Sequence, residues 1–278
     1  MPLASIPEPG RAAWQWGPVT VRAYALCLII GFAVAVAVTS RRYRKAGGRP
    51  GLVLDVAAWA IPFGLAGAFA HALLIEIRHQ QGLWHVATAT VATIGVSGAI
   101  AFGALGAWIA CRRAGVPLGP LAGAAAPGVA FGLAIGGLAH WWAQDFYGRP
   151  ASWWLAERIA PVHRISDYEY FSTFQPAFLF QSAWDAAIGF AIIWAARRFA
   201  LSGVRTFMLA AAAYAVGGLW VDSVRIGPQP RLFGMPYGAW GDLLVLVLSL
   251  AVFARPNRPN RPYGVPMAGD SPGHVISL

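Results

Sequence analysis

The sequence is poor in charge and poorest of all in lysine. Only 12% of its 278 residues are Asp, Glu, Lys or Arg, about half the share of a soluble globular chain. That scarcity excludes a disordered protein, a coiled coil and most soluble enzymes. Lys45 is the single lysine, so 20 of the 21 cations are arginines. The net charge of +10 does not imply nucleic acid, because where the cations sit matters more than their sum. No nucleic-acid partner is expected. Cysteine is scarce too. Cys27 and Cys111 lie singly inside apolar runs, with no CxxC or Cys/His spacing, so they read as buried thiols that pack as small hydrophobes. No metal or redox cofactor is expected.

What the chain has is apolar sequence, 58% of it, gathered into runs of about 20 residues, enough to cross a hydrocarbon core of about 30 Å at about 1.5 Å per residue. Seven such runs are read: Thr20 to Ser40, Leu52 to Ile75, Val86 to Cys111, Leu118 to Trp142, Pro176 to Ala196, Phe207 to Val224 and Tyr237 to Ala254. The fold class is therefore all-α, a polytopic membrane protein with seven transmembrane helices. The segments after spans one, three, five and seven carry 13 of the 21 Lys and Arg. The positive-inside rule then puts the N-terminus outside and the C-terminus in the cytoplasm. The expected location is a membrane crossed several times.

Residues 1–19 are expected to form an extracytoplasmic N-terminal segment and residues 20–254 the transmembrane domain. Residues 255–278, rich in Pro, Asn and Gly, are expected to form a disordered cytoplasmic tail. The longest polar stretch, residues 144–175, follows span four and reads as a small extracytoplasmic cap. It mixes Trp153, Trp154, Tyr168, Tyr170, Phe171 and Phe174 with Arg149, Arg158, His163 and Arg164, a blend suited to the headgroup layer. Glycine (32) and proline (20) are abundant. Most glycines in the spans are read as close-packing positions between helices.

Ionisable groups at membrane depth are costly and therefore informative. Arg22 opens span one, His140 and Asp145 close span four, Asp222 and Arg225 close span six, and Asp242 opens span seven. All these ends face outside in the orientation above. Polar groups converging in an apolar bundle are the default site hypothesis. Each also has a plainer reading: His71 as a hydrogen-bonded core histidine, Asp185 as a locally paired acid, Tyr24 as an interfacial tyrosine, and Asp222 with Arg225 as an i, i+3 ion pair.

Four blocks then resemble the prolipoprotein diacylglyceryl transferase family. IGGLAHWWAQDFYGRP, ending at Pro150, resembles the signature G-R-x-G-N-F-x-N-x-E-x-x-G-R-P. VRAYALCLIIGF resembles the family's opening of span one, FQPAFLFQSAWD its span-five block and YAVGGLWVDSVR its span-six block. Within the signature Gly136, Gly148, Arg149 and Pro150 stand unchanged. Its arginine falls on Gly137, its first asparagine on His140, its second on Ala143 and its glutamate on Asp145. In span six the family arginine falls on Gly218 and the glutamate on Asp222, while Tyr214 and Arg225 match. In span five the histidine falls on Gln175, the tyrosine on Phe180 and the glutamate on Gln181.

The resemblance implies a bacterial plasma (inner) membrane as the location, and transfer of a diacylglyceryl group from phosphatidylglycerol, or another anionic phospholipid, to the lipobox cysteine of a prolipoprotein. The leaving group is glycerol 1-phosphate. Such chemistry needs a cation on the phosphate and a base or field that favours the thiolate. The resemblance then assigns His140, Asp145, Asp222 and Tyr24 to catalysis, and Arg149, Arg225, Gly148, Gly136 and Arg22 to substrate binding. Two further readings stay open. One is a catalytically degenerate family member that binds lipid or lipoprotein without transfer. The other is a small-solute transporter, against which the lack of an internal repeat argues. The transferase reading requires at least two of Arg22, Arg149, Arg225 and His140 to converge on one outer-leaflet cavity; groups that point apart, or a cavity plugged by side chains such as Trp141, favour the binding reading.

Overall fold

The computed structural model describes residues 5–79, 96–227 and 231–254. Its architecture is an antiparallel helical bundle with small β elements at one end. A hairpin, β1 (Ala13–Trp16) and β2 (Val19–Arg22), leads into α1 (Ala23–Lys45). Then come α2 (Leu52–His79), α3 (Val96–Arg113), α4 (Leu118–Gly137) and a short α5 (Ala139–Ala143). The cap follows, with β3 (Glu157–Arg158) paired to β4 (Thr173–Phe174) around two single turns of 3₁₀ helix. The chain then runs through α6 (Ala177–Arg198), α7 (Gly203–Val224), the β5–β6 pair (Arg231–Leu232 and Met235–Pro236) and α8 (Tyr237–Phe253).

The helices follow from the apolar runs. A helix satisfies every backbone N–H and C=O within itself, which lipid demands. Five described helices are long and apolar enough to cross a membrane, and a sixth apolar segment, Gly238–Phe253, is shorter. Large side chains point outward: Ile29, Leu65 and Phe190 are each more than 60% exposed. In a soluble fold these would be buried; here they face lipid.

Several expected boundaries move, for stated reasons. Span one was to begin at Thr20, but Thr20 to Arg22 pair with Ala13 to Gln15 as a strand, so α1 starts at Ala23. It then runs past Ser40 to Lys45, placing Arg42, Arg44 and Lys45 in its last turn, where the helix dipole favours cations. Span four breaks at Leu138 into α4 and α5. Span six begins earlier, at Gly203, because Ser202 caps it by accepting from the Arg205 N–H. Residues 86–95 of span three and the tail 255–278 lie outside the described residues.

Small residues set the packing. α1 and α4 approach so closely that a Cβ on Gly31 would meet the Gly132 carbonyl. A Cβ on Gly203 would likewise strike the Gly119 backbone where α7 begins beside α4. α4 thus sits at the centre, packed on α1, α6 and α7. One apolar cluster, with Tyr43, Leu52, Val56, Cys111 and Leu121 buried, closes one end of the bundle. A second, around Ala126, Ile188 and Ile192, joins α4, α6 and α7.

The cap has its own core of Tyr147, Ile159 and Phe174. Phe174, expected among headgroup-facing aromatics, is fully buried there. Tyr147 ties the cap together, its hydroxyl donating to the His163 carbonyl (2.7 Å) and accepting from the Ile165 N–H (3.1 Å). The N-terminal segment is bound in as well. Ile6 N–H donates to Ala156, Arg158 N–H donates to Ile6 and the Trp141 indole donates to the Pro7 carbonyl.

Candidate functional site

The helix ends that meet the cap bring together residues far apart in sequence. α5 carries His140 just past the Leu138 break. Gln144 then takes a left-handed conformation at φ 52° and ends the helix, which turns the chain back so that Asp145 reaches His140. Asp145 Oδ1 lies 2.7 Å from His140 Nδ1, the geometry of an Nδ1–H donating to a carboxylate. Such a bond fixes the ring and leaves Nε2 free to take a proton. Tyr24, in the first turn of α1, sets its ring edge-on to His140, with centroids 5.8 Å apart.

Phe146 links this dyad to a cation. Its ring lies 5.0 Å from the His140 ring on one contact, and the Arg225 guanidinium stands 4.3 Å from its centroid on another. Arg225 ends α7 and is bridged through its backbone to Gly148. Its Nε is buried without an acceptor among the described residues. The charges acting on it are those of Asp222 and Asp145. A Cβ on Gly148 would crowd the side chains of Gln175 and Val224, so glycine lets the signature loop lie close against the end of α7 without displacing them. Arg149, next in sequence, is exposed and its Nη2 reaches the Ser223 carbonyl at 3.5 Å.

His140 and Arg225 therefore meet at Phe146, Tyr24 and Asp145 are held on the His140 ring, and Arg149 and Asp222 lie at the flank of Arg225. Arg22 does not join them. It is exposed at the head of α1, its backbone paired with Ala13 in the hairpin, and its side chain makes no hydrogen bond or ring contact among the described residues. Gly136 faces Leu28 on α1, a packing position rather than a contact with the cluster.

The two glycines at signature-arginine positions are tightly packed. A Cβ on Gly137 would meet the Ser182 hydroxyl, and one on Gly218 would meet the Asp242 carboxylate. The space beside each backbone is thus already taken by a polar side chain from a neighbouring helix. Deeper on the α6–α7 side, Phe180 stacks between Trp153 of the cap and Trp220 of α7. Asp185 is buried and accepts a hydrogen bond from Gln181 at 3.1 Å, a locally paired acid.

Sequence reading missed two members of this region. Phe146 falls on an unassigned position of the signature. Glu157 was not singled out at all. It is 1% exposed, and neither carboxylate oxygen has a hydrogen-bond partner among the described residues. Burial, and secondarily the charge of Asp145, raise its pKa from 4.5 to about 8. A carboxyl in a polar loop is ordinarily solvated, so no local pattern marks it. Among the described residues no group of three or more His, Cys, Asp or Glu could hold a metal.

The sequence profile of the prolipoprotein diacylglyceryl transferase family matches residues 11–255. The chain is 39% identical over 94% of its length to the phosphatidylglycerol–prolipoprotein diacylglyceryl transferase of Streptomyces avermitilis, covering 78% of that protein. It is 38% identical over 98% of its length to the first such transferase of Streptomyces coelicolor, covering 81%. It is 39% identical over 94% of its length to that of Frankia alni, covering 70%. The match spans the hairpin, the bundle and the cap, and the chain belongs to the prolipoprotein diacylglyceryl transferase family.

Proposed function

We propose that this chain transfers a diacylglyceryl group from phosphatidylglycerol to the cysteine thiol of a prolipoprotein, at the cap end of the bundle. The observation that carries the reading is the His140–Asp145 pair, 2.7 Å apart, with Arg225 on the same Phe146 ring. His140 takes the thiol proton while Asp145 holds the imidazole in the tautomer that can accept it. The thiolate sulfur attacks the glyceryl carbon, the carbon–oxygen bond to phosphate breaks, and glycerol 1-phosphate departs with the electron pair. Arg225, with Arg149 beside it, meets the phosphate as negative charge moves onto it. Tyr24 fixes the far edge of the His140 ring, Asp222 sets the local field on Arg225, and Gly148 lets the loop close. The donor lipid enters sideways, which places the site in the outer leaflet of a bacterial inner membrane with the N-terminus outside.

A second reading has one specific observation in its favour. Asp242 puts a carboxylate where the family signature expects an arginine stem at Gly218, and an acid there repels a phosphate. On that reading the chain binds lipid or lipoprotein without transfer. One experiment separates the two. Purified protein is incubated with phosphatidylglycerol and a lipobox peptide, with one of the Streptomyces relatives alongside. Lipidated peptide above the no-enzyme control supports transfer. Its absence, with the relative active and lipid still bound, leaves the binding reading.

A further inference from the structure

The end of the bundle away from His140 is rich in cations and poor in acids. α1 ends in Arg42, Arg44 and Lys45, α3 in Arg112 and Arg113, and α6 in Arg197 and Arg198. Most of the partners available to them are rings. Arg112 lies over Trp108, Arg113 over Trp59, Arg198 over Phe199 and Arg205 over Phe253. Arg42 has no such partner. Its Nε is buried and meets no acceptor among the described residues. A buried guanidinium N–H is rarely left unpaired in a folded protein.

A second guanidinium, that of Arg197, lies within electrostatic reach of it. α1 and α6 both pack on α4, which brings Arg42 near enough to Arg197 for their charges to oppose each other. α4 begins here too, with no acid in its first turn and no side-chain cap, so its partial positive charge adds to theirs. The acid in the first turn of α2, Asp55, is exposed. Beside Arg197 is a cavity of about 360 Å³ lined by Phe190, Ile193, Trp194, Arg197 and Arg198. Phe190 and Trp194 are both exposed on the lipid-facing flank. Cations at the mouth and apolar rings along the side match a ligand with an anionic head and an apolar body.

We propose that Arg42 and Arg197 together hold a phosphate group at this end of the bundle, in a site separate from the His140 cluster. Two guanidiniums from different helices can grip one phosphate through paired N–H donors, which a lysine pair cannot do as well. The exposed rings favour the phosphate of a phospholipid over free phosphate. The ligand then ties α1 and α6 together across α4, offsetting the mutual repulsion of the two guanidiniums.

Native mass spectrometry of the delipidated full chain tests this, with titration by phosphatidylglycerol. Arg42→Gln and Arg197→Gln should each weaken lipid retention about tenfold. Arg41→Gln removes the same charge from an exposed neighbour and should change it less than twofold. Arg197→Lys keeps charge and fold but loses the fork, and should fall between. Equal losses in all three neutral variants, or no loss in any, overturn the site. Competition with millimolar inorganic phosphate identifies the source. Displacement of the lipid makes free phosphate a ligand of the same site, and persistence makes the lipid head the ligand.

Discussion

The carboxylate of Asp242, on α8, occupies the space beside the Gly218 backbone, on α7, where a Cβ would otherwise stand. This pairing explains how a signature position can carry glycine without leaving a void. It also makes the two residues interdependent. Overpacking a close contact costs about 1–3 kcal/mol. Gly218→Ala should therefore lower the thermal midpoint, and Asp242→Ala in the same chain should recover most of the loss. A double-mutant cycle read by thermal unfolding in detergent should give a coupling of at least about 1 kcal/mol. Additive effects of the two substitutions would mean that Asp242 does not fill that space.

The dyad and the cation make a kinetic prediction. Removing a general base costs about 10²–10⁴-fold in rate, so His140→Ala should reduce peptide lipidation at least about 100-fold while the protein still inserts in the membrane. Asp145→Asn keeps a hydrogen-bonding side chain but not its charge, and should cost less. Arg225→Ala should impair both lipid binding and turnover. Because these groups act as one unit, the double variant His140→Ala/Asp145→Asn should be no worse than His140→Ala alone. Wild-type rates for both His140→Ala and Arg149→Ala would make these positions structural.

Much of this arrangement was legible in the sequence because the membrane constrains it. Apolar runs have to become helices in lipid, and ionisable groups at helix ends stand out against them. His140, Asp145 and Arg225 stand out that way, from two blocks far apart in the chain. Other members carried no local signal. Phe146 matters because it stands between His140 and Arg225, a relation that needs the α5 break and the Gln144 turn to exist first. Thr20 to Arg22 run straight into the apolar stretch and read as the start of its helix, yet pairing with Ala13 to Gln15 claims them as strand. Glu157 looked like any loop acid until β3 and β4 folded its side chain inward beside Phe174.

Glycine packing gives a prediction about assembly of the bundle. Gly31 and Gly132 let the backbones of α1 and α4 touch, and the obstacle to a side chain there is main chain, which cannot rotate away. Gly31→Val should separate the two helices and with them Tyr24 from His140. Folded yield in detergent should drop sharply. Gly10→Val, where a Cβ meets nothing within 4 Å, should leave yield unchanged. Equal yields of Gly31→Val and wild type would contradict the close approach.

Glu157 predicts how the stability of the cap depends on pH. Its carboxyl is held near pKa 8, raised by burial and then by Asp145, so the folded cap prefers it protonated. An acid whose folded pKa lies above its unfolded value contributes no pH dependence below about 4.5. Between about 4.5 and 8 the folded state loses stability as pH rises, by about 1.4 kcal/mol per unit at most. Above 8 the penalty is constant. Glu157→Gln is neutral at every pH and of nearly the same shape, so it should remove this slope. Thermal unfolding of wild type should fall from pH 5 to pH 9, and that of Glu157→Gln should fall much less, the two curves crossing or meeting at the acid end. The N-terminal segment reports the same event locally, since Ile6 is hydrogen-bonded on both sides of Glu157. Hydrogen exchange at the Ile6 and Arg158 amides should speed up at pH 9 in wild type beyond the intrinsic base-catalysed rate, and not in Glu157→Gln. Parallel slopes in the two proteins would mean that Glu157 is ionised in the folded cap at neutral pH.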